Sequence, residues 1–336
     1  MRVTSSLATA LTPTTAVLGN FDGVHRGHQQ VIQVTRPVMS ASRSLDLSTQ
    51  ELNSQPLEPL HRVLTAIEPD HSYLTVVAFD PHPQEFFTGR PRALLTPLSE
   101  KRRQLENLGV EQLVLLPFNA ELACLSPEAF VQKILVQQLA AQAISVGFNF
   151  RFGYQRAGTA MALAAIAAPY NIQVTVVPPQ TYEGEQISSS AIRQALQSGN
   201  LQQANRLLGR SYSLIGTVVQ GQQLGRTLGF PTANLQLPPE KFLPCQGVYS
   251  VRVESPELEQ AQIGVMNLGY RPTIEGASQT IEVHLLDWSG DLYGQTLTVY
   301  LEQFLRPEQK FSSLEALKTQ IQADCAAARS FLNSAA

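Results

Sequence analysis

Gly19-Asn20-Phe21-Asp22-Gly23-Val24-His25-Arg26-Gly27-His28 is the stretch around which the first half of the chain is organised. The apolar run Thr15-Ala16-Val17-Leu18 leads into it and reads as a buried strand, and Gln29-Gln30-Val31-Ile32 follows as the start of a helix. Gly19, Gly23 and Gly27 fall in the turn between them, where a backbone must bend sharply and come close to a ligand. His25 and His28, three residues apart, are expected side by side on the first helical turn. Free N–H groups at a helix start, next to two imidazoles, suit a phosphate ester that gains charge in a transition state. Taken alone, the stretch also fits a glycine-rich turn carrying two solvated histidines.

Outward from this turn, short apolar runs recur at 74–79, 112–116, 143–147 and 174–177, separated by helical patterns. Ser99–Leu108 reads as a helix closed by Gly109. Ser126-Pro127 is an N-cap with proline at the first helical position, and 158–168 is an alanine-rich helix. Alternating strands and helices imply a parallel sheet with helices on both faces, whose ligands bind outside the carboxyl ends of the strands. Asp80-Pro81-His82-Pro83 and Phe148-Asn149-Phe150-Arg151-Phe152-Gly153 each follow a strand directly, so they are expected on the same edge as the histidine turn. Ile187-Ser188-Ser189-Ser190-Ala191-Ile192-Arg193 opens the last helix of this half, ended by Gly199. A serine cap and a guanidinium there form either a second phosphate clamp or an ordinary N-cap with a surface arginine. Residues 36–72 are polar and aperiodic and read as a long insertion, with a short helix near 61–67.

The texture changes near Ser211. Runs rich in Val, Tyr, Leu and Thr at 214–219, 247–253, 262–268, 280–286 and 296–302 alternate with Gly and Pro turns, the pattern of an antiparallel barrel or sandwich. Ser312–Phe331 is a closing amphipathic helix with Leu314, Leu317, Ile321 and Cys325 on one stripe. The glycine-rich stretch 221–234 reads as a loop whose amides approach phosphates, or as a plain turn after a strand. Thr232 and Asn234 are two apart and point the same way if extended, offering neutral oxygens that suit Mg²⁺ when ATP supplies the charge. Glu282 and His284 share one face of a strand, and Glu282 is a general-base candidate if the loop packs beside it.

The totals narrow the classes. A chain of 336 residues suggests two domains, with the divide placed at 208/209. A net charge of −3 gives no basic footprint for nucleic acid, and no apolar run reaches the roughly 18 residues of a membrane span. Cys124, Cys245 and Cys325 are far apart and odd in number, which reads as reduced thiols in a cytoplasm. Residues 1–13 do not form a convincing signal peptide.

These motifs, in this order, resemble the prokaryotic bifunctional riboflavin kinase/FMN adenylyltransferase (FAD synthetase) family along nearly the whole chain. The residues that carry the resemblance are GNFDGVHRGH at 19–28, FDPHP at 79–83, GFNFRFG at 147–153, ISSSAIR at 187–193, GRTLGFPTAN at 225–234, NLGYRPT at 267–273, IEVHLLD at 281–287 and RPEQKF at 306–311. The resemblance implies a Rossmann-like nucleotidyltransferase domain followed by a flavokinase barrel. It implies ATP and Mg²⁺, with riboflavin converted to FMN and FMN to FAD plus pyrophosphate. It assigns His25, His28, Arg193 and Glu282 to catalysis, the last as base. It assigns Gly19, Phe21, Gly27, Asn149, Ser188, Ser189, Gly225 and Gly229 to nucleotide or phosphate binding, with Ser188 and Arg193 on the leaving pyrophosphate. Thr232 and Asn234 are assigned to Mg²⁺–ATP, and Asp80, Pro81 and Arg306 to the flavin. Pantetheine-phosphate and cytidylyl transferases share the first-half motifs but usually lack the barrel. A flavin-binding regulator descended from a synthetase is expected to have lost His28, Asn234 or Glu282, and all three are present. The partners expected are riboflavin, FMN and ATP, without nucleic acid or membrane, and weak self-association is left open.

Overall fold

The structure, a computed structural model, describes residues 1–35, 71–221, 225, 228–273 and 276–335. The insertion expected at 36–72, with its helix near 61–67, falls almost entirely outside the described residues.

The first half is a parallel six-stranded sheet. Across it lie Arg2–Thr4, Gln112–Pro117, Tyr73–Asp80, Thr14–Leu18, Ala141–Gly147 and Gln173–Val177, every neighbouring pair parallel. The Arg2–Thr4 edge strand was not expected; it is three residues long and carries no alternation to read. Thr14–Leu18 is central. The chain first adds Tyr73–Asp80 on one side and later Ala141–Gly147 on the other. That reversal leaves a crevice above the carboxyl end of Thr14–Leu18, where an open parallel sheet binds ligands. The sheet's two faces bury separate cores: Ala16, Leu18, Val114 and Ile144 on one side, Val17, Val76, Leu113 and Ile32 on the other. This two-sided burial explains why the strands read as continuous apolar runs.

Ser126 caps its helix as expected, its Oγ accepting from Ala129 N with Pro127 at the first turn, but the helix continues as a π-helix over Val131–Gln138. The helix Ser189–Gln197 is not the last of this half. The Gly199–Asn200 turn starts another, Leu201–Leu208, capped by the Asn200 side chain.

The second half is a closed barrel. Its strands follow the order Tyr212–Val219, Ala233–Gln236, Gly276–Leu285, Gln262–Thr273, Gly247–Glu254 and Thr296–Arg306, the last returning to the first. Ala233–Gln236 corrects the reading of 221–234 as loop throughout, because its last two residues already pair with Val283 and Glu282. Closure removes the edges an open sheet exposes. The helix Leu314–Ala335 packs Ile321, Cys325 and Ala328 on the barrel wall. Leu314 leaves the expected stripe: it stands exposed in the first turn.

The two halves share a core. Ile192, Leu196, Leu201, Ala204 and Leu208 bury their side chains with Tyr212, Leu214, Tyr249 and Leu301 of the barrel. Leu94 pairs with Lys241 as an isolated bridge, and Leu94 N donates to Glu240 O at 2.7 Å. The Lys241 ammonium enters the first half, 2.5 Å from Glu100 Oε2 and 2.8 Å from Leu95 O.

Candidate functional sites

The histidine turn bends in an unexpected way. Left-handed backbone occurs at Phe21 (φ 51°), Gly23 (φ 89°) and Val24 (φ 42°), and not at Gly19 or Gly27. Gly27 serves close approach instead: a Cβ there would stand 3.2 Å from the His25 ring. His25 is the N-cap of the helix Arg26–Gln33, its Nδ1 accepting from His28 N at 3.3 Å, so its ring proton sits on Nε2 in the neutral form. The two imidazoles stack, centroids 3.6 Å apart, and Phe21 leans on His28 at 5.0 Å. His25 is buried, and His28 Nδ1 is buried with no hydrogen-bond partner among the described residues. The reading of two solvated histidines is thereby excluded.

Burial holds both rings neutral. It lowers His25 to about 4, Asp22 opposing and Arg210 reinforcing the shift. His28 is held well below the usual histidine range by burial, then by His25, Lys101 and Arg210. Before ligand binds, these groups are therefore N–H donors rather than cations.

A cavity of about 740 Å³ opens over this turn at the carboxyl edge of the sheet. Gly19, Phe21, His25, Gly27, His28, Asn149, Ser188 and Ser189 all line it. Ser188 caps its helix through Ala191 N at 3.1 Å, and Ser189 Oγ donates to Asp22 O at 2.8 Å. Phe79, Phe87, Phe118, Phe148, Phe150 and Phe152 form an aromatic wall, with Phe87 70% and Phe148 61% exposed. Arg92 and Arg156, outside the motifs, and Arg151, inside GFNFRFG but given no role there, add positive charge. Arg92 lies 3.0 Å from the ring of His82, which also lines the cavity.

Three expected residues are placed elsewhere. Arg193 is not in the lining: it is ion-paired to Asp22, donates to Ala93 O at 3.0 Å and lies over the Phe242 ring of the barrel. Its carboxylate partner, Asp22, sits within the histidine motif and itself lines the cavity. Asp80 and Pro81 are exposed and outside the lining, whereas Phe79, His82 and Pro83 on either side belong to it, because the strand ends at Asp80 and the next helix turns inward.

A second constellation lies on the barrel. Asn234 and Glu282 are direct cross-strand partners, and Glu282 is likewise opposite Asn267. Directly paired residues share a face, so the three form a row across three strands. Thr232 immediately precedes the strand Ala233–Gln236, two residues before Asn234. A Cβ on Gly221 would overlap the Asn234 amide, and one on Gly225 would strike Phe230 O, so both glycines permit close loop packing. Gly229 has φ 87°. His284 donates from Nδ1 to Pro231 O at 2.7 Å, tying the glycine loop to the strand of Glu282. Arg306 is turned away to the closing helix, making a forked contact with Asp324 at 2.7–3.2 Å. Among the described residues no group of three His, Cys, Asp or Glu side chains is arranged to hold a metal.

Comparison with known proteins matches the two parts of the chain to two separate family models. A riboflavin kinase family model matches residues 208–332, and an FAD synthetase model matches 8–62 and 57–191. The chain belongs to the bifunctional riboflavin kinase/FMN adenylyltransferase family. The member from Pseudomonas fluorescens is 41% identical over 317 residues, covering 94% of this chain and 91% of its own. The member from Escherichia coli K12 is 38% identical over 315 residues, with the same coverage. A crystal structure described as a macrolide-efflux protein from Streptococcus pneumoniae superposes with a TM-score of 0.79 at 30% identity, covering 97% of this chain and 98% of that one. The nucleotidyltransferase-like unit followed by a closed barrel with its closing helix is the family's domain order. Among the described residues, no helix is long and apolar enough to cross a membrane.

Proposed function

We propose that the barrel transfers a phosphoryl group from ATP to riboflavin, and that the sheet unit then joins the FMN formed to the adenylyl group of a second ATP. The family's two activities accordingly reside on one chain, divided at 208/209. The observation that carries this reading is that each half assembles its own polar constellation: His25, His28 and Ser188 around one cavity, and Asn234, Glu282 and Asn267 in a row on the barrel, with Thr232 two residues before Asn234.

In the sheet unit the nucleophile is an FMN phosphate, a phosphomonoester with its second pKa near about 6, so no base is required. The work is to hold two anions together and to meet charge developing on the α-phosphate. Neutral His25 and His28 meet it with N–H donors held in a buried turn. Ser188, Ser189 and the start of their helix face the leaving pyrophosphate. The phenylalanine wall suits a flavin ring. Arg193 acts one step back, holding Asp22 and with it the histidine turn.

In the barrel the nucleophile is a neutral hydroxyl, so a base is useful. Glu282 takes its proton. Thr232 and Asn234, beside Glu282, are hard oxygen donors, the set that suits Mg²⁺ when substrate phosphates complete the shell. Thr232 and Asn234 would hold Mg²⁺ there, and it would supply charge that offsets the transferring phosphate. Gly225 and Gly229 let the loop approach ATP. Arg306 supports the flavin end of this site indirectly, by anchoring the closing helix. The unpaired Cys124, Cys245 and Cys325 support a reducing, cytoplasmic setting.

The test is a chromatographic time course with riboflavin, ATP and Mg²⁺. FMN rising before FAD supports both sites working in sequence. FMN alone would confine activity to the barrel, and no turnover would overturn the reading.

A further inference from the structure

Three residues that lead into the barrel, Leu208, Gly209 and Arg210, lie against the histidine turn of the other half. Gln29 Nε2 bridges Val24 O at 3.0 Å and Leu208 O at 3.1 Å. Gly209 has φ 77°, and a Cβ on it would stand 3.0 Å from the Arg26 side chain. Arg210 Nη2 donates to Gly23 O at 2.7 Å, and Nη1 donates to Val24 O at 3.2 Å. Gly23 and Val24 are two of the left-handed residues immediately before the N-cap His25. Their carbonyls are turned out of any helix or strand ladder and need donors. Backbone in this region is costly for Val24 and persists only where surrounding contacts over-determine it. One planar guanidinium satisfies both carbonyls at once, which an ammonium on a flexible stem does not reproduce.

We propose that Arg210, at the entrance to the barrel, is a positioning residue for adenylyl transfer: by bridging the Gly23 and Val24 carbonyls it sets the backbone that presents His25 and His28 to the nucleotide. The proposal rests on the reading of the sheet unit as the adenylyl-transfer site. Arg210 does not line the cavity, so it acts through the turn and not on substrate. Its charge has a second effect, since it helps keep both imidazoles neutral. The charged groups that face these rings are Asp22 from the turn, Lys101 from the helix Leu98–Asn107, and Arg210 itself.

The experiment compares the full-length parent with Arg210→Met and Arg210→Lys. FAD formation from FMN and ATP is measured against pH, and FMN formation from riboflavin is measured separately. Arg210→Met is expected to lower kcat for FAD formation at least tenfold with KM for ATP within threefold, and to leave FMN formation within twofold. Its acid limb for FAD formation is expected to move to higher pH, because the rings lose a repelling charge. Arg210→Lys keeps the charge but not the planar fork, so its acid limb is expected at the parental pH with kcat lowered several-fold. Parental FAD kinetics in folded Arg210→Met would overturn the proposal, as would a parallel loss of both activities. Should Arg210→Met fail to fold, parental FAD kinetics in Arg210→Lys overturn it equally. A parent that makes no FAD sinks the adenylyl-transfer reading itself, whereas a working parent with an indifferent Arg210 sinks only the inference.

Discussion

The imidazoles of His25 and His28 lie on one another, centroids 3.6 Å apart and planes inclined by 15°. Two rings stacked this closely in a buried turn cannot both be cations without strong repulsion. Folding therefore selects the neutral form. The consequence for stability has a definite sign. His25 binds its proton near 6.5 when unfolded and near 4 when folded, so between these pH values the unfolded chain binds more protons. Its contribution is fully present above pH 6.5 and is lost as pH falls towards 4. The full loss is about 3 kcal/mol for His25, with His28 acting in the same direction. Urea unfolding at pH 7 and pH 5 should show this decline, and His25→Asn should flatten it. An unchanged slope in that variant would remove His25 as the cause.

The two sites are expected to fail separately. His28→Ala should lower FAD formation from FMN by a hundredfold or more while FMN formation continues, since one aligned donor at a developing charge carries that much. Glu282→Gln should do the reverse, lowering FMN formation by about 10²–10⁴-fold, the usual worth of a general base. Separate assays on each purified variant decide this. Joint loss in a well-folded protein would contradict two independent centres.

Glu100 and Lys241 form a buried ion pair across the two halves, Oε2 to Nζ 2.5 Å. Burial pushes the Glu100 carboxyl up and the Lys241 ammonium down to about 8, while the pairing opposes both shifts. Lys241→Met alone leaves a buried carboxylate without its partner and is expected to cost about 3–5 kcal/mol. Adding Glu100→Leu should recover most of that loss, because two apolar groups need no desolvation. Thermal melting of the single and double variants measures it, and a double variant no better than the single would show that the pair is not the coupled unit.

The closing helix is tied to the barrel by two forked contacts, Arg306 to Asp324 and Arg329 to Asp287, of which the first is the less exposed. Asp324→Ala strips Arg306 of its carboxylate and is expected to destabilise the barrel by about 1.5–3 kcal/mol. Limited proteolysis near Ser312 should accelerate in that variant. A direct flavin contact by Arg306 predicts instead an Arg306→Ala defect in riboflavin affinity with no change in helix protection.

Chelation should stop FMN formation and restored Mg²⁺ should recover it, because Thr232 and Asn234 are neutral and cannot by themselves offset the charge of ATP. Activity at full rate in excess chelator would exclude the metal role assigned to them.

Much of this was legible in the chain. Continuous apolar runs such as Val76–Phe79 mark strands buried on both faces, and the Ser126-Pro127 and Ser188 caps mark helix starts, because these signals are local. Local patterns also placed His25, His28 and Asn149 on one edge, since strand ends in a parallel sheet converge there, while Ser188 reaches the same cavity by a helix start that strand order did not locate. Short elements escaped: Arg2–Thr4 and Ala233–Gln236 have too few residues to show a period and exist only through their partners.

What the sequence by itself determined is therefore the order of strands, helices and chemistry-bearing motifs, each set by neighbours a few residues apart. Only the tertiary structure decided which charges meet. Arg193 turned to Asp22 rather than to the cavity, Arg306 to Asp324, and Arg210 to the carbonyls of Gly23 and Val24. A long charged side chain can reach many partners, and its choice is made by burial and by unsatisfied groups brought near from distant parts of the chain. No spacing along the sequence records that choice.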